Sequence, residues 1–203
     1  MGDTRRPRGR PPASSREKIE VEAVELFLRH GYAGTSIAMI TEACGVGRTT
    51  FFRYFDSKSQ IIWSAFDDHT QRLRELLARA EPDAPALTVI RACVVEALRD
   101  SVDERGIWLK RFTILDTSVE LRSEVSAQWL SWARAVAGYV AHRTGADPDG
   151  IVPAGIGGAI QAAFLATLRS WQGTEEPPDR LLRQMDVGLA PLCDVLQEWL
   201  DRG

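Results

Sequence analysis

The densest group of potentially reactive side chains lies in residues 45–55, GVGRTTFFRYF, where arginines, threonines and four aromatic rings follow a glycine-containing turn. Guanidinium and hydroxyl groups form hydrogen bonds with phosphates and with base edges. A helix with Arg48, Thr49 and Thr50 in its first turn could therefore enter the major groove of DNA, where arginine reaches guanine and a threonine methyl reaches thymine. The structural alternative is a corner of the fold that cation–π contacts make rigid.

The elements around this stretch are predicted to be three short helices. Ser14 and Glu17 have the spacing of a capping box, and apolar residues at intervals of four follow until a glycine cap at Gly31. Thr35 is the predicted N-cap of a second helix, and a third helix is expected from about residue 48 to 54. Two short helices joined by a glycine-containing turn are typical of a helix-turn-helix.

The rest of the chain also has helical periodicity, without the alternation typical of strands. Ser57 and Gln60 form a second possible capping box, which opens a long helix over residues 57–80. Further helices are predicted over residues 85–103, 106–116, 119–144, 150–172 and 178–201. We therefore predict an all-α chain with a flexible basic arm (1–13), a helix-turn-helix domain (14–60) and a larger helical domain (61–203).

The charge is unevenly distributed along the chain. Residues 1–60 carry ten Lys or Arg against seven Asp or Glu, a net +3, whereas the remainder carries fifteen against twenty-one, a net −6. This pattern favours a polyanionic partner for the front of the molecule alone. The alternative is that the basic arm only adds non-specific charge.

The sequence disfavours several classes of protein, including metalloproteins, enzymes with common catalytic motifs and membrane proteins. The three cysteines are far apart and match no metal-binding spacing, so we expect reduced thiols, a cytoplasmic protein, no metal and no cofactor. No nucleophile elbow or Walker loop is present, and Ile160 stands where a dinucleotide fingerprint needs its third glycine. Residues 151–168 are apolar enough for a short membrane span, but their proline, glycines and Gln161 favour a buried helix and no membrane partner.

Residues 14–60 also contain a longer pattern of aromatic, glycine, hydroxyl and apolar positions. Its members are Phe27, Gly31, Tyr32, Thr35, Ser36, Ile37, Ile40, Ala43, Cys44, Gly45, Val46, Thr50, Phe52, Tyr54, Phe55 and Lys58. In this pattern, residues 14–60 resemble the DNA-binding domain of the TetR family of bacterial regulators. The resemblance implies a homodimer that binds an operator on double-stranded DNA and responds to a small molecule bound by the larger helical domain.

The expected DNA contacts combine the opening motif with positions carried over from the family. Phe52 stands where the family usually has a tyrosine that contacts a phosphate, so Tyr54 is the better candidate for that contact. Lys58 matches a phosphate-binding lysine of the family, whereas Phe51 and Phe55 are expected in the core. The complete candidate set is Arg8, Arg10, Thr35, Ser36, Gly47, Arg48, Thr49, Thr50, Phe52, Arg53, Tyr54 and Lys58, with Arg5 and Arg6 as further arm residues suited to the minor groove.

The larger domain is rich in aromatic residues, which suit the walls of an apolar pocket. Ordinary core packing is the alternative for each ring. Arg111, Gln161 and Arg169 are additional polar groups of interest. The candidate ligand-binding residues are Trp108, Phe112, Asp116, Trp129, Trp132, Phe164 and Trp171.

The last two predicted helices have the features of a dimer interface. Ala154, Gly158, Ala162 and Ala166 recur at intervals of four, which lets helices approach closely. Two such helices from each subunit would form a four-helix interface, and close packing within one subunit is the alternative. The apolar residues offered by the last helix are Leu182, Met185, Leu189, Leu192, Leu196 and Trp199.

A narrower resemblance joins GRPPASSREKIE with GVGRTTFFRYFDSKSQIIWSAFD, which are similar to regulators found beside mycofactocin biosynthesis genes. That subgroup implies an apolar effector such as an acyl-CoA. The sequence thus predicts a ligand-responsive repressor released from a palindromic operator, and not an enzyme. A helical interaction module and a DNA binder without sequence preference are the alternatives.

Overall fold

The computed structural model describes residues 15–102, 106–174 and 176–202, and these residues form α-helices and no strand. The predicted all-α fold class is confirmed. A short 3-10 turn, Val119–Leu121, leads directly into the seventh helix. The helices are α1 (Ser15–His30), α2 (Ile37–Cys44), α3 (Arg48–Phe52), α4 (Gln60–Ala78), α5 (Ala86–Ser101), α6 (Ile107–Thr117), α7 (Arg122–Thr144), α8 (Ile151–Ser170) and α9 (Pro178–Asp201).

Helices α1 to α3 form a small unit at the front of the chain. Gly31 follows α1 with φ +75°, and Gly45 ends α2 with φ +65°, a left-handed conformation that favours glycine. Buried side chains from all three helices meet between them, among them Ile19 and Phe27 of α1, Ile40 of α2 and Phe51 of α3. The predicted helix-turn-helix arrangement is therefore present.

The predicted N-cap of α2 was wrong by one residue. Ser36, not Thr35, precedes the helix, and its Oγ accepts a hydrogen bond from the backbone N–H of Met39 at 3.2 Å. Thr35 is fully buried, and its hydroxyl lies 3.2 Å from the carbonyl of Leu26 and 2.9 Å from that of Gly31. Thr35 thus connects α2 to the end of α1 rather than capping α2.

Helix α4 begins three residues later than predicted, but the predicted capping residues do interact. The Ser57 hydroxyl accepts a hydrogen bond from the backbone N–H of Gln60 at 3.2 Å, and the Gln60 side chain accepts one from the backbone N–H of Asp56. The buried face of α4 contacts α1 near its start and α5 and α7 farther along. It is therefore the element that joins the front unit to the rest of the protein.

Helices α5 to α9 form the body; α9 has the predicted bounds, and the bounds of α5 to α8 differ from the predicted ones by one to three residues. Helices α7 and α8 approach each other closely, since a Cβ at Gly157 would lie 2.5 Å from the carbonyl oxygen of Ala133. Cys44, Cys93 and Cys193 are buried free thiols, as predicted. Among the described residues, no group of three or more His, Cys, Asp or Glu lies close enough together to hold a metal ion.

Helix α8 is less buried than predicted. It is long and apolar enough to cross a membrane by length and composition, a test that core helices of soluble proteins also pass, and 33% of that stretch is buried. One stripe, with Ile156, Ile160, Phe164 and Leu168, packs into the body. The small residues Ala154, Ala162 and Ala166 are exposed, because the described residues pack against the helix on its other side.

Candidate nucleic-acid interface and ligand site

Five of the twelve predicted DNA-contacting residues have their side chains together at the surface of α3 and the residue that follows it. Arg48, Thr49, Phe52 and Arg53 are exposed and Thr50 is half-buried, and together they line a shallow surface depression. Gly47 precedes the helix in an extended conformation and is also exposed. This surface is suited to phosphate and base-edge contacts, because it combines two guanidinium groups, two hydroxyls and an aromatic ring.

The four aromatic rings of the opening motif divide between the core and this surface. Phe51 and Phe55 are 0% and 1% exposed, which confirms the prediction that they belong to the core. Phe52 is 44% exposed, contacts Phe51 edge-on and has the guanidinium of Arg48 5.9 Å from its ring centre. The core interpretation therefore holds for Phe51 and Phe55, whereas contact of Phe52 with DNA stays a prediction.

Tyr54 lies at the end of α3 and forms a pair with Arg53. The Arg53 Nη2 donates a hydrogen bond to the Tyr54 hydroxyl at 3.0 Å, and its guanidinium lies 4.8 Å from the ring centre. Because the hydroxyl oxygen accepts this bond, its own proton is available to a phosphate oxygen. The pair thus offers a cation and a hydroxyl donor at one point of the surface.

Lys58 makes contacts within the protein that the sequence did not indicate. Its Nζ donates to the backbone carbonyls of Tyr32 at 2.6 Å and Thr35 at 2.9 Å, and it lies 4.1 Å from the ring centre of Tyr32. Burial lowers the pKa of this ammonium group, and the charge of Glu120 opposes that shift. Lys58 holds the loop before α2 against the start of α4, and one of its three N–H donors remains for a phosphate.

The side chain of Thr35 is not available for the predicted phosphate contact, because it is fully buried and bonded to α1. Ser36 is exposed, but its Oγ accepts the capping bond of α2. Its hydroxyl proton can still be donated. The arm residues Arg5, Arg6, Arg8 and Arg10, and the capping residue Ser14, lie outside the described residues.

Five of the seven predicted ligand-binding residues meet in one aromatic cluster inside the body. We call this the aromatic cluster, and it includes Phe66 and His69 of α4 as well. Ring centres are 4.8 Å apart for Trp132 and Phe164, and 5.1 Å apart for Phe66 and Trp108. The five are Trp108, Phe112, Trp129, Trp132 and Phe164, of which only Trp129 is half-buried rather than buried.

Asp116 and Trp171 have their partners elsewhere. The exposed Asp116 carboxylate accepts hydrogen bonds from Arg169 at 3.3 Å and from Gln172 at 2.9 Å. The Trp171 indole N–H donates to Gln184 at 2.6 Å. These contacts join the end of α8 to α6 and α9, so both residues have a structural role outside the aromatic cluster.

Two more of the polar groups singled out in the body also make internal contacts. The Gln161 side chain donates a hydrogen bond to the backbone carbonyl of Trp129, which connects α8 with α7. Arg111 is 5% exposed, and its Nη2 lies 3.0 Å from the carboxylate of Glu20 in α1. Next to it, Lys110 forms an ion pair with Glu25 at 2.6 Å. These two pairs connect α6 of the body with α1 of the front unit.

His69 belongs to the cluster but was missed in the sequence. It is 2% exposed, and burial lowers its pKa to about 4, so the ring is neutral at pH 7. Its Nδ1 lies 2.9 Å from the Ser101 hydroxyl, which itself donates to Ala97, so Nδ1 carries the proton and Nε2 is a bare acceptor. His69 lies three residues after Phe66 and four before Leu73, and this spacing on the apolar face of α4 could have indicated that it is buried.

Several polar atoms in and around the aromatic cluster have no hydrogen-bond partner among the described residues. They include Nε2 of His69 and the indole N–H groups of Trp63, Trp108 and Trp132. A buried polar group without a partner has a free-energy cost, which a bound molecule with matching donors and acceptors removes. The cluster thus combines an apolar surface with unused hydrogen-bonding capacity, as ligand sites do.

Helices α8 and α9 also carry an exposed apolar surface, which we call the α8/α9 face. Among the described residues, four of the eight exposed large apolar side chains belong to these two helices: Ile151, Val187, Val195 and Trp199. The predicted interface residues of α9 were mostly wrong. Leu182, Met185, Leu189 and Leu196 are buried in the protein's own core, and Leu192 is half-buried.

Two family models match the chain. Residues 20–63 match the model described as bacterial regulatory proteins, tetR family. Residues 84–197 match the model described as the MftR C-terminal domain, which spans more than half of the chain. The second match confirms the resemblance to the mycofactocin-system subgroup.

Similar proteins extend over most of the length. The Mycobacterium tuberculosis protein that carries the provisional name mycofactocin biosynthesis transcriptional regulator MftR is 26% identical over 194 residues, covering 96% of this chain and 95% of that protein. A solved transcriptional regulator from Aquifex aeolicus has a TM-score of 0.58 at 17% identity, with 88% and 99% of the two chains covered. AibR, solved with isovaleryl coenzyme A and operator DNA, has a TM-score of 0.51 at 18% identity, with 85% and 96% covered.

Proposed function

Because the chain belongs to the TetR family of bacterial regulatory proteins, we propose that it is a homodimeric repressor that leaves its operator when it binds an apolar effector. Members of this family are DNA-binding transcriptional regulators and are usually repressors. The observation that carries the proposal is the exposed face of α3. It presents Arg48, Thr49 and Arg53 to solvent while Phe51 holds the helix to the core.

The proposed DNA contact places α3 in the major groove. Arg48 and Thr49 would contact base edges, and Tyr54, Ser36 and the free donor of Lys58 would contact phosphates. Two subunits would read half-sites about one helical turn apart, or a little more, so the operator would be palindromic. The α8/α9 face supports this dimer, because two copies would cover its exposed apolar side chains.

The proposed effector site is the aromatic cluster. Phe66 and His69 place α4 in one wall of it, and the same helix carries the front unit. An effector that separates these rings would tilt α4 and change the spacing of the two α3 helices. The effector must bind this second state more tightly than the DNA-bound state, because only such a difference shifts the equilibrium.

We propose an acyl-CoA as the first effector to examine. The MftR-type C-terminal domain and the isovaleryl coenzyme A bound by AibR support this choice. The aromatic cluster would take the acyl chain, and its unpartnered indole N–H groups would suit the thioester carbonyl.

The experiment that tests DNA recognition is binding to the DNA upstream of the protein's own gene. A scrambled fragment of equal composition serves as the control DNA, and a salt series separates specific from non-specific binding. We expect a protected palindromic site whose affinity falls about 10- to 100-fold on Arg48→Ala, because one base-reading side chain contributes about 1–3 kcal/mol.

A matched control is Arg99→Ala, which removes one positive charge from the surface of α5. We expect it to leave both fragments bound as tightly as before. Equal binding of the wild-type protein to both fragments, with a steep salt dependence, would instead establish a binder without sequence preference. Indifference of the specific site to Arg48→Ala would exclude α3 as the reading element.

A further inference from the structure

A groove separate from the aromatic cluster lies between the second halves of α4 and α7. Its volume is about 400 Å³, within the range of small-molecule sites. Its lining combines the apolar residues Leu77, Pro82 and Ala135 with the polar residues Arg74, Tyr139 and Arg143. His142 also lines it and is exposed.

Among the described residues, the two arginines of this groove form hydrogen bonds with neutral groups only. Arg143 donates to the Tyr139 hydroxyl at 2.7 Å and to the backbone carbonyl of Ala84 at 2.8 Å. Arg74 donates to the hydroxyl of Ser131 at 2.8 Å and to its backbone carbonyl at 3.3 Å. The charge of Arg74 acts on Asp67 earlier in α4, but neither arginine forms an ion pair with a carboxylate among the described residues.

Most other described arginines of the body have an acidic partner, and those without one among the described residues, Arg79, Arg122 and Arg183, are exposed, unlike Arg143. Arg72, Arg91, Arg111, Arg134 and Arg169 each have a carboxylate within 4.0 Å. Arg143 is half-buried, so its charge is partly desolvated without a compensating anion. Each guanidinium also keeps N–H donors that the protein does not use, and the Tyr139 oxygen accepts from Arg143 and so retains its own proton for donation.

We propose that this groove binds an organic anion, with its carboxylate or phosphate on Arg74, Arg143 and Tyr139 and its apolar part on Leu77 and Ala135. A planar guanidinium pairs with either head group through two parallel hydrogen bonds. An inorganic anion would be a poor occupant, because it has no apolar part to contact the apolar lining. The site does not depend on the effector proposed for the aromatic cluster, nor on DNA recognition.

The test uses the full chain and two fluorescent probes with the same type of apolar body. One is the anion 1-anilinonaphthalene-8-sulfonate, and the other is the neutral N-phenyl-1-naphthylamine. We expect the double variant Arg74→Gln/Arg143→Gln to bind the anionic probe at least about tenfold more weakly, as expected for losing a charge-assisted hydrogen bond. Binding of the neutral probe should change less than twofold, within ordinary variation of a surface change.

Three further measurements make the result specific. Arg134→Gln removes an exposed arginine of α7 that pairs with Asp149, and it should leave both probes unaffected. Octanoate and octyl phosphate should displace the anionic probe, and their relative strengths identify the preferred head group. Circular dichroism checks that the variants remain folded, and Arg74→Gln alone changes only an exposed side chain.

The proposal is overturned if the double variant binds the anionic probe as tightly as the wild type, because the probe would then occupy another site. It is also overturned if both probes weaken equally, since that outcome means a general loss of apolar surface. Binding of operator DNA is measured separately on the same samples. If the wild-type protein shows no specific DNA binding but binds the probes as expected, the proposed function is refuted and the groove proposal still stands.

Discussion

Thr35 and Ser36 show how two adjacent hydroxyls of similar chemistry differ in role. The sequence placed both at the start of α2, where a phosphate contact was equally reasonable for each. Burial separates them, because Thr35 is fully enclosed against α1 and Ser36 is exposed. A one-residue shift of the helix start decides the outcome, and sequence patterns do not locate helix ends to that accuracy.

We expect Thr35→Val to reduce the free energy of unfolding by about 1–3 kcal/mol, because the carbonyls of Leu26 and Gly31 lose a buried donor. Urea denaturation measures this change. Ser36→Ala is the matched variant, with an expected loss of about 1 kcal/mol from the missing cap. If Thr35→Val left stability unchanged but weakened DNA binding, the hydroxyl would contact DNA after all.

His69 should make stability depend on pH. Its pKa of about 4 in the folded protein lies below the ordinary value near 6.5, because burial disfavours the charged ring. Between these two pH values the unfolded chain binds a proton that the folded protein does not. The free energy of unfolding should therefore fall as pH drops from 6.5 to 4, by up to about 3 kcal/mol at the lower end.

The measurement is urea denaturation between pH 7 and pH 4.5 for the wild type and for His69→Leu. The difference between the two pH dependences isolates this residue from groups that titrate in both proteins, such as Asp67, whose pKa is raised by burial. His142→Gln, which removes an exposed imidazole, is the matched control for the loss of one histidine. Parallel curves for wild type and His69→Leu would show that His69 is accessible to protons in the folded state.

At the scale of elements, the helices were predictable because their signals are local. Capping residues, glycine caps and apolar periodicity placed all of α1 to α9 within a few residues of their observed bounds. The pairing of elements was not predictable in the same way. The small residues of α8 suggested a close helix contact, but the row Ala154, Gly158, Ala162 and Ala166 is not the one that makes it. Gly157 does, and a single sequence cannot show which face of α8 meets α7.

Gly157→Ala should destabilise the protein by about 1–3 kcal/mol, because the new methyl group overlaps a backbone carbonyl of α7 that cannot move alone. Gly138→Ala in α7 is the control, since a Cβ there meets no atom within 4 Å. It should stabilise by about 0.5–1 kcal/mol, the ordinary preference of a helix for alanine over glycine. Thermal and urea denaturation of both variants give the comparison, and equal effects of both would contradict the close approach of α7 and α8.

The ion pairs between α6 and α1 connect the body to the front unit by a second route, besides α4. Arg111 is almost fully buried and Glu20 lies between Arg111 and Arg16, so the Glu20 carboxylate accepts from both. Glu20→Gln should destabilise by about 3 kcal/mol, because a buried guanidinium loses its counter-charge. The control Glu25→Gln breaks the half-exposed pair with Lys110 and should cost less than about 1 kcal/mol. Similar losses for both would mean that Arg111 is better hydrated than its burial indicates.

At the scale of the whole molecule, the predicted partition of charge has a structural counterpart. In the front unit, Arg48 and Arg53 are exposed at α3, whereas most described arginines of the body lie beside carboxylates. Sequence composition could predict that the front meets a polyanion. It could not predict the groove with Arg74 and Arg143, because that site forms where two helices distant in sequence pack together.

The proposed dimer and the proposed operator binding should fail together, because one subunit offers only one α3. Val195→Glu places a charge on the α8/α9 face, where Val195 is 64% exposed, so the monomer should fold normally. We expect light scattering to show monomers and the palindromic site to bind at least about 100-fold more weakly, since one half-site then supplies all the contacts. Val119→Glu changes an equally exposed valine, 63% accessible and outside that face, and should remain dimeric and bind DNA normally. A dimer that survives Val195→Glu would place the interface elsewhere, whereas a monomer with undiminished affinity would mean that each subunit recognises DNA alone.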